Sequence, residues 1–259
     1  MKTSRIGRPV VVFILTCLVI AALWQGSIWF FKIPGYLMPR PLDVLTEGLG
    51  GAHAVLLARS GYTLLSALLG LGLSTLFAIL VAVVFVIKPK VRQYSMPLVI
   101  ALRSAPVAAV APLIMLMLGR GIGTGVVVVT IVSFFPMLVN LSRGLQSPQS
   151  NALELMHVLN ASKWQQLRFV RIPTALPFFF TGLRISVISA ILGEMLSEWI
   201  TGSRGLGLLI LDAGSMREIN LLWGAVIVSI MMALVLFWLT SAAERWASAF
   251  GSKLDGDAR

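Results

Sequence analysis

Four charged residues stand inside otherwise apolar stretches of this 259-residue chain: Arg103, Arg184, Glu194 and Glu198. Glu194 and Glu198 are four apart, so on a helix they share one face. Like charges at that spacing repel unless one is protonated or paired. A gate position, a contact with a partner, or a proton relay are the roles such a pair could serve. Arg103 and Arg184 pose the opposite question. Each either snorkels or pairs with a structural carboxylate, or forms a cationic lining that attracts an anion. Other chemistry lacks its residues. Cys17, His53 and His157 are far apart and make no metal-ligand spacing and no nucleophile–base pair. There is no Gly-x-x-x-x-Gly-Lys-Ser/Thr phosphate loop. The chain is expected to be non-catalytic, with no metal or cofactor of its own.

The elements that must position these charges follow from composition. Apolar residues make up 58% of the chain and charged residues 12%. A soluble domain carries about 25% charge, and a globule of this size cannot hide so much apolar surface. The expectation is an all-α integral membrane protein forming one transmembrane domain over residues 1–259. A helix crossing the bilayer needs about 20 apolar residues. Six spans are predicted, at 9–31, 61–87, 96–118, 121–142, 174–200 and 219–243. The third accepts Arg103; the fifth accepts Arg184, Glu194 and Glu198. The first follows Lys2, Arg5 and Arg8, but it is longer than a signal-peptide core and lacks a small-residue cleavage site, so we read it as a retained span. Pro106, Pro112 and Pro136 fall within spans three and four and should bend them, as packing features or as hinges and cavity walls. Gly70, Gly72 and Ser74 suit close helix packing in span two.

The net charge of +11 is distributed by topology. With the N-terminus inside, 13 of the 21 basic residues fall on the cytoplasmic side: Lys2, Arg5, Arg8, Lys88, Lys90, Arg92, Arg143, Lys163, Arg168, Arg171, Arg245, Lys253 and Arg259. Six fall outside: Lys32, Arg40, Arg59, Arg120, Arg204 and Arg217. This bias predicts both termini in the cytoplasm. A nucleic-acid partner is not expected, because few basic residues can form a continuous patch.

The longest inside segment, 143–173, carries its own signals. Asn151 with Glu154 three residues later has the spacing of a capping box, and Leu153, Leu155, Met156 and Leu159 follow with helical spacing. Ser162 can cap a second helix bearing Trp164, Leu167, Phe169 and Val170. The reading is two short amphipathic helices joined at Asn160-Ala161, either a membrane-surface hairpin or a dock for a cytosolic partner.

The stretch Glu154-Leu155-Met156-His157-Val158-Leu159-Asn160-Ala161-Ser162, ending Ile172-Pro173-Thr174-Ala175-Leu176-Pro177, resembles the Glu-Ala-Ala motif of ABC importer permeases. Leu155-Met156 replace the two alanines and Asn160 replaces the glycine; Asn is the next most tolerated residue in a left-handed turn. Met38-Pro39-Arg40-Pro41, Leu102-Arg103-Ser104-Ala105-Pro106, Ala111-Pro112-Leu113, Phe134-Phe135-Pro136, Thr181-Gly182-Leu183-Arg184 and Gly205-Leu206-Gly207 resemble, in the same order, the nitrate/sulfonate/taurine branch of that family. The resemblance implies the type I ABC importer permease fold in a bacterial inner membrane. It also implies a second permease copy as a homodimer, two cytosolic ATPases that bind ATP and Mg, and a periplasmic or lipid-anchored binding protein. Glu154, Leu155, Leu159, Asn160, Ala161 and Ser162 would meet the ATPase. Arg103, Pro106, Pro112, Arg184, Glu194 and Glu198 are candidates for the pathway or its gates. The expected activity is uptake of a small, anionic solute such as a sulfonate, taurine or nitrate. Two alternatives stand beside it: a proton-coupled secondary transporter using Glu194 and Glu198, and uptake of a pyrimidine-type vitamin precursor by the same ABC mechanism.

Overall fold

The computed structural model describes residues 7–103 and 106–256. Lys2, Arg5, Arg259 and the Ser104-Ala105 pair lie outside the described residues, as do the side chains of Arg8, Leu102 and Lys253. The chain runs through α1 (Gly7–Phe31), α2 (Pro41–Asp43) with wider turns over Val44–Gly51, α3 (His53–Ile87), α4 (Pro89–Arg103) and α5 (Val107–Leu118). Then follow α6 (Ile122–Leu145), α7 (Ser150–Val158), α8 (Lys163–Gln166) with wider turns over Leu167–Arg171, α9 (Ile172–Thr201), α10 (Leu206–Ser215) and α11 (Ile219–Gly256).

Among the described residues, four helical runs are long and apolar enough to cross a membrane: His53–Ile87, Ile122–Leu145, Lys163–Thr201 and Ile219–Ala247. Shorter apolar helices are Leu15–Phe31, Val107–Leu118 and Leu206–Ser215. The run expected as one third span, 96–118, is instead two helices. α4 ends at Arg103, and Pro106 precedes α5 with extended backbone (φ −68°, ψ 112°). Pro106 has no amide to donate and its own backbone is extended, so α5 starts afresh at Val107 although the run stays apolar.

The chain divides into two compact units, Met1–Ala58 with Leu209–Val228, and Arg59–Leu208 with Ser229–Arg259. In the first, the rings of Trp24 and Trp223 lie 4.9 Å apart, and the Asn220 amide donates to Glu47 Oε2 at 2.5 Å. Val44, Ala213 and Ala225 are among its fully buried apolar residues.

The second unit is built on α3, α6 and α9. One apolar cluster joins Ala78, Ala82 and Phe85 of α3 to Met137, Leu138 and Leu141 of α6 and Ala175 of α9. Another joins Ala67 and Leu71 to Val129 and to Val187, Ala190 and Ile191, with Met232 and Leu236 of α11 packed against it. Small residues allow this closeness. A Cβ on Gly70 would stand 2.5 Å from the Val129 Cβ, so α3 and α6 meet backbone to side chain there, whereas Gly72 faces open space. Ser133 Oγ donates to the Ser186 carbonyl at 3.2 Å, and Ser186 Oγ donates back to the Ser133 carbonyl at 3.0 Å. This reciprocal pair fastens α6 to α9 in the dry interior, where interhelical polar contacts are worth about 0.6 kcal/mol each on average.

Candidate functional site

Two helices follow α6, as read from sequence, but the second is not a separate short helix: it runs unbroken from Lys163 into α9, and the first begins earlier than expected. α7 begins after Gln149, whose backbone is extended (ψ 142°) and whose side chain makes no cap. Asn151 is therefore not the N-cap and Glu154 is not its box partner. The helix starts as soon as the chain leaves Pro148, which places Asn151 in the first turn. At the other end Asn160 takes φ +53°. The Asn160 amide donates to the His157 carbonyl, and the Ala161 amide donates to the Met156 carbonyl, both at 2.9 Å. These two bonds around a left-handed residue form a Schellman stop. Ser162 then caps α8 in a full capping box: its amide donates to Gln165 Oε1 at 2.7 Å, and the Gln165 amide donates to its Oγ at 3.3 Å.

This rigid hairpin presents apolar side chains outward. Leu155, Leu159 and Trp164 are 60–66% exposed and Val158 is 82% exposed, while α7 buries no residue at all. Glu154, Asn160 and Ser162 share the exposed surface, and Ala161 is half-buried. Leu167 turns inward and is fully buried. The base of the hairpin is closed by Arg171, whose Nη1 donates to the Leu145 carbonyl at 2.8 Å. That is a helix-ending carbonyl with no donor within its own helix.

A cavity of about 1020 Å³ lies along α6, with walls from α3, α4, α5 and α9. Phe77, Val81, Val110, Ile114, Phe134 and Val139 make most of it apolar, and Thr130, Asn140 and Ser189 add neutral polar groups. Its cations are Arg103 and Arg143. The Arg103 guanidinium lies 4.5 Å from the centre of the Phe135 ring, a cation–π stack. Neither arginine has a carboxylate at ion-pair distance among the described residues. Arg184 is placed differently. Its Nη1 lies 3.0 Å from Glu244 Oε2 on α11, both side chains about a quarter exposed, and it does not line the cavity. Of the prolines, Pro136 lines the cavity; Pro106 and Pro112 do not. A double-mutant cycle of Arg184→Gln and Glu244→Gln, read by thermal melting, should give a coupling of about 1 kcal/mol, the size of a partly screened pair.

The two glutamates are buried, Glu194 at 1% and Glu198 at 0% exposure. Glu198 Oε1 accepts from the Thr63 hydroxyl at 2.7 Å, and Oε2 accepts from the Gly207 amide at 2.6 Å. The Thr63 oxygen in turn accepts the Leu206 amide at 2.9 Å. Thr63, Glu198 and the first turn of α10 thus form a closed ring of hydrogen bonds. Glycine makes the approach possible. A Cβ on Gly205 would collide with the Glu198 carboxylate, and one on Gly207 would stand 2.6 Å from the Met195 carbonyl. Gly125 of α6 does the same for Glu194: a Cβ there would lie 2.5 Å from Glu194 Oε1 and 2.6 Å from Ser66 Oγ.

Residues 70–249 match the family of binding-protein-dependent transport system inner membrane components. The chain belongs to this family. It is a permease subunit of an ABC importer, which replaces the secondary-transporter reading of the glutamate pair. The permease is 31% identical to a probable ABC transporter permease protein of Haemophilus influenzae, over 85% of this chain and 89% of that one. It is 32% identical to the formylaminopyrimidine transport permease protein ThiX of Halalkalibacterium halodurans, over 80% and 81%. Its fold is similar to a chain of the MetNI methionine ABC transporter solved in inward-facing conformations, with a TM-score of 0.59 and 17% identity, covering 78% of the permease and 95% of that chain. Thr63, Ser66, Gly125, Ser133 and Ser186 escaped sequence reasoning; each looks like a tolerated small or polar residue until the helices are packed, and Arg171 counted there only as a cytoplasmic charge.

Proposed function

We propose that two copies of the permease enclose a pathway for a small anionic solute. Cytosolic ATPases, which bind ATP and Mg, would drive it through the α7–α8 hairpin, and a periplasmic or lipid-anchored binding protein would deliver the solute. The observation that carries the coupling half of this reading is the exposed apolar surface at Leu155, Val158, Leu159 and Trp164 beside a fixed turn. Buried apolar anchors carry most of the energy of such contacts. The hairpin joins α6 directly to α9, so a push on it reaches both helices, with both termini and the hairpin in the cytoplasm.

The anionic half rests on Arg103, which faces the cavity without a carboxylate partner among the described residues. In proteoliposomes holding the permease with its ATPase and binding protein, Arg103→Gln should raise the KM for an alkanesulfonate roughly tenfold, a charge-assisted contact being worth about 1.5–3 kcal/mol. Unchanged alkanesulfonate uptake would overturn this half. The second reading, a pyrimidine-type precursor, is favoured by Phe77, Phe134 and Phe135 in the cavity wall and by the 32% identity to ThiX. It predicts that formylaminopyrimidine is taken up equally by the parent and by Arg103→Gln.

A further inference from the structure

We infer that Glu198 and Thr63 are positioning residues that latch the start of α10 and so close the outer end of the helix bundle above the cavity. The inference rests on the proposed orientation, with the hairpin in the cytoplasm. The hairpin connects the C-terminal end of α6 to the N-terminal end of α9. The opposite end of the bundle is therefore made by the start of α6 and the end of α9. Gly125 stands in the first turn of α6, and Glu194 and Glu198 in the last turns of α9. Residues of the same helices that line the cavity lie closer to the hairpin. On α9 the lining reaches Ser189, and Glu198 is nine residues beyond it, about 13 Å at 1.5 Å per residue. On α3 the lining starts at Phe77, and Thr63 is fourteen residues before it, about 21 Å away along the helix. Both α3 and α9 thus place the hydrogen-bonded ring beyond one end of the cavity, on the side away from the ATPase.

The chemistry of the ring suits a latch. A helix start carries amide donors with no partner inside the helix, and a carboxylate there also meets the positive end of the helix dipole. Glu198 satisfies the Gly207 amide, and Thr63 satisfies the Leu206 amide while donating to Glu198. A hydroxyl donates and accepts at a single oxygen, so Thr63→Val removes two bonds and Thr63→Ser keeps both. The apolar contacts around the ring hold the helices together without specifying where α10 begins. The three hydrogen bonds specify it, and they can break together when the outer end opens.

The test uses the permease with its ATPase and binding protein in right-side-out membrane vesicles. Cys17→Ser removes the native thiol and Ser189→Cys places a reporter in the cavity. A membrane-impermeant maleimide is then added from the binding-protein side without ATP. Labelling should be low in the parent, rise at least about tenfold in Thr63→Val and in Glu198→Gln, and fall back in Thr63→Ser. Unchanged labelling in either assembled variant, judged by copurification with the ATPase, overturns the inference. So does loss of assembly in both variants, which would make the ring purely structural. The failure of the hairpin reading shows separately, as normal uptake by a permease with an altered α7.

Discussion

Leu159→Arg should abolish ATP-driven uptake while leaving the permease folded. Leu159 is 66% exposed and immediately precedes Asn160, whose left-handed backbone fixes its direction. Replacing an exposed side chain costs the isolated chain little, within about 0.5 kcal/mol. At an interface the same change puts a charge where an apolar anchor seats. Hot-spot anchors are worth about 2 kcal/mol or more, which is roughly a thirtyfold loss of affinity. The measurement pairs uptake in proteoliposomes with thermal melting of the purified permease. Uptake near the parent rate would remove Leu159, and with it the assigned α7 surface, from the coupling contact. Leu167→Arg serves as the contrast. Leu167 is fully buried, so that change should lower the melting temperature as well as uptake.

Two glycines of α6 should respond to the same substitution with opposite sign. Gly125→Ala pushes a methyl group into the Glu194 carboxylate and the Ser66 hydroxyl, all fully buried. Overpacking of this kind costs about 1–3 kcal/mol. Gly123 lies half a turn away, exposed, with nothing within 4 Å of its would-be Cβ. Gly123→Ala only narrows the unfolded chain and favours helix, a gain of about 0.4–1 kcal/mol. Melting of both variants in one detergent would show one transition moving down and the other up. A fall for both would mean that helix context, rather than the Glu194 contact, sets the response.

The long spans were legible because lipid demands long uncharged runs, and such runs are visible without any knowledge of packing. The extended backbone at Pro106 was not, because apolar character continues across it. The turn at Asn160 could be read, since few residues other than Gly and Asn take a left-handed conformation cheaply. The cap at Asn151 was misplaced because Pro148 moves the helix start by two residues, and cap residues are judged only against an assumed start. The acid pair was recognised by its spacing, but its surroundings were not. Thr63 lies 135 residues from Glu198 in sequence, and no local pattern joins a threonine on one helix to a glutamate on another. Arg184 shows the converse. Its charge drew attention as a pathway candidate, and its partner Glu244 was hidden in the polar end of the last helix.

The reciprocal bonds between Ser133 and Ser186 also limit how α6 and α9 can move. Each bond is 3.0–3.2 Å long, and a slip by one residue shifts a helix by about 1.5 Å, enough to break both at once. The pair behaves as a shear pin: it resists sliding of one helix past the other but permits the two to tilt together. On the proposed coupling, a stroke delivered at the hairpin would arrive at the far end of the bundle as a rotation of two joined helices, and a permease lacking the pin should spend part of each stroke on slippage.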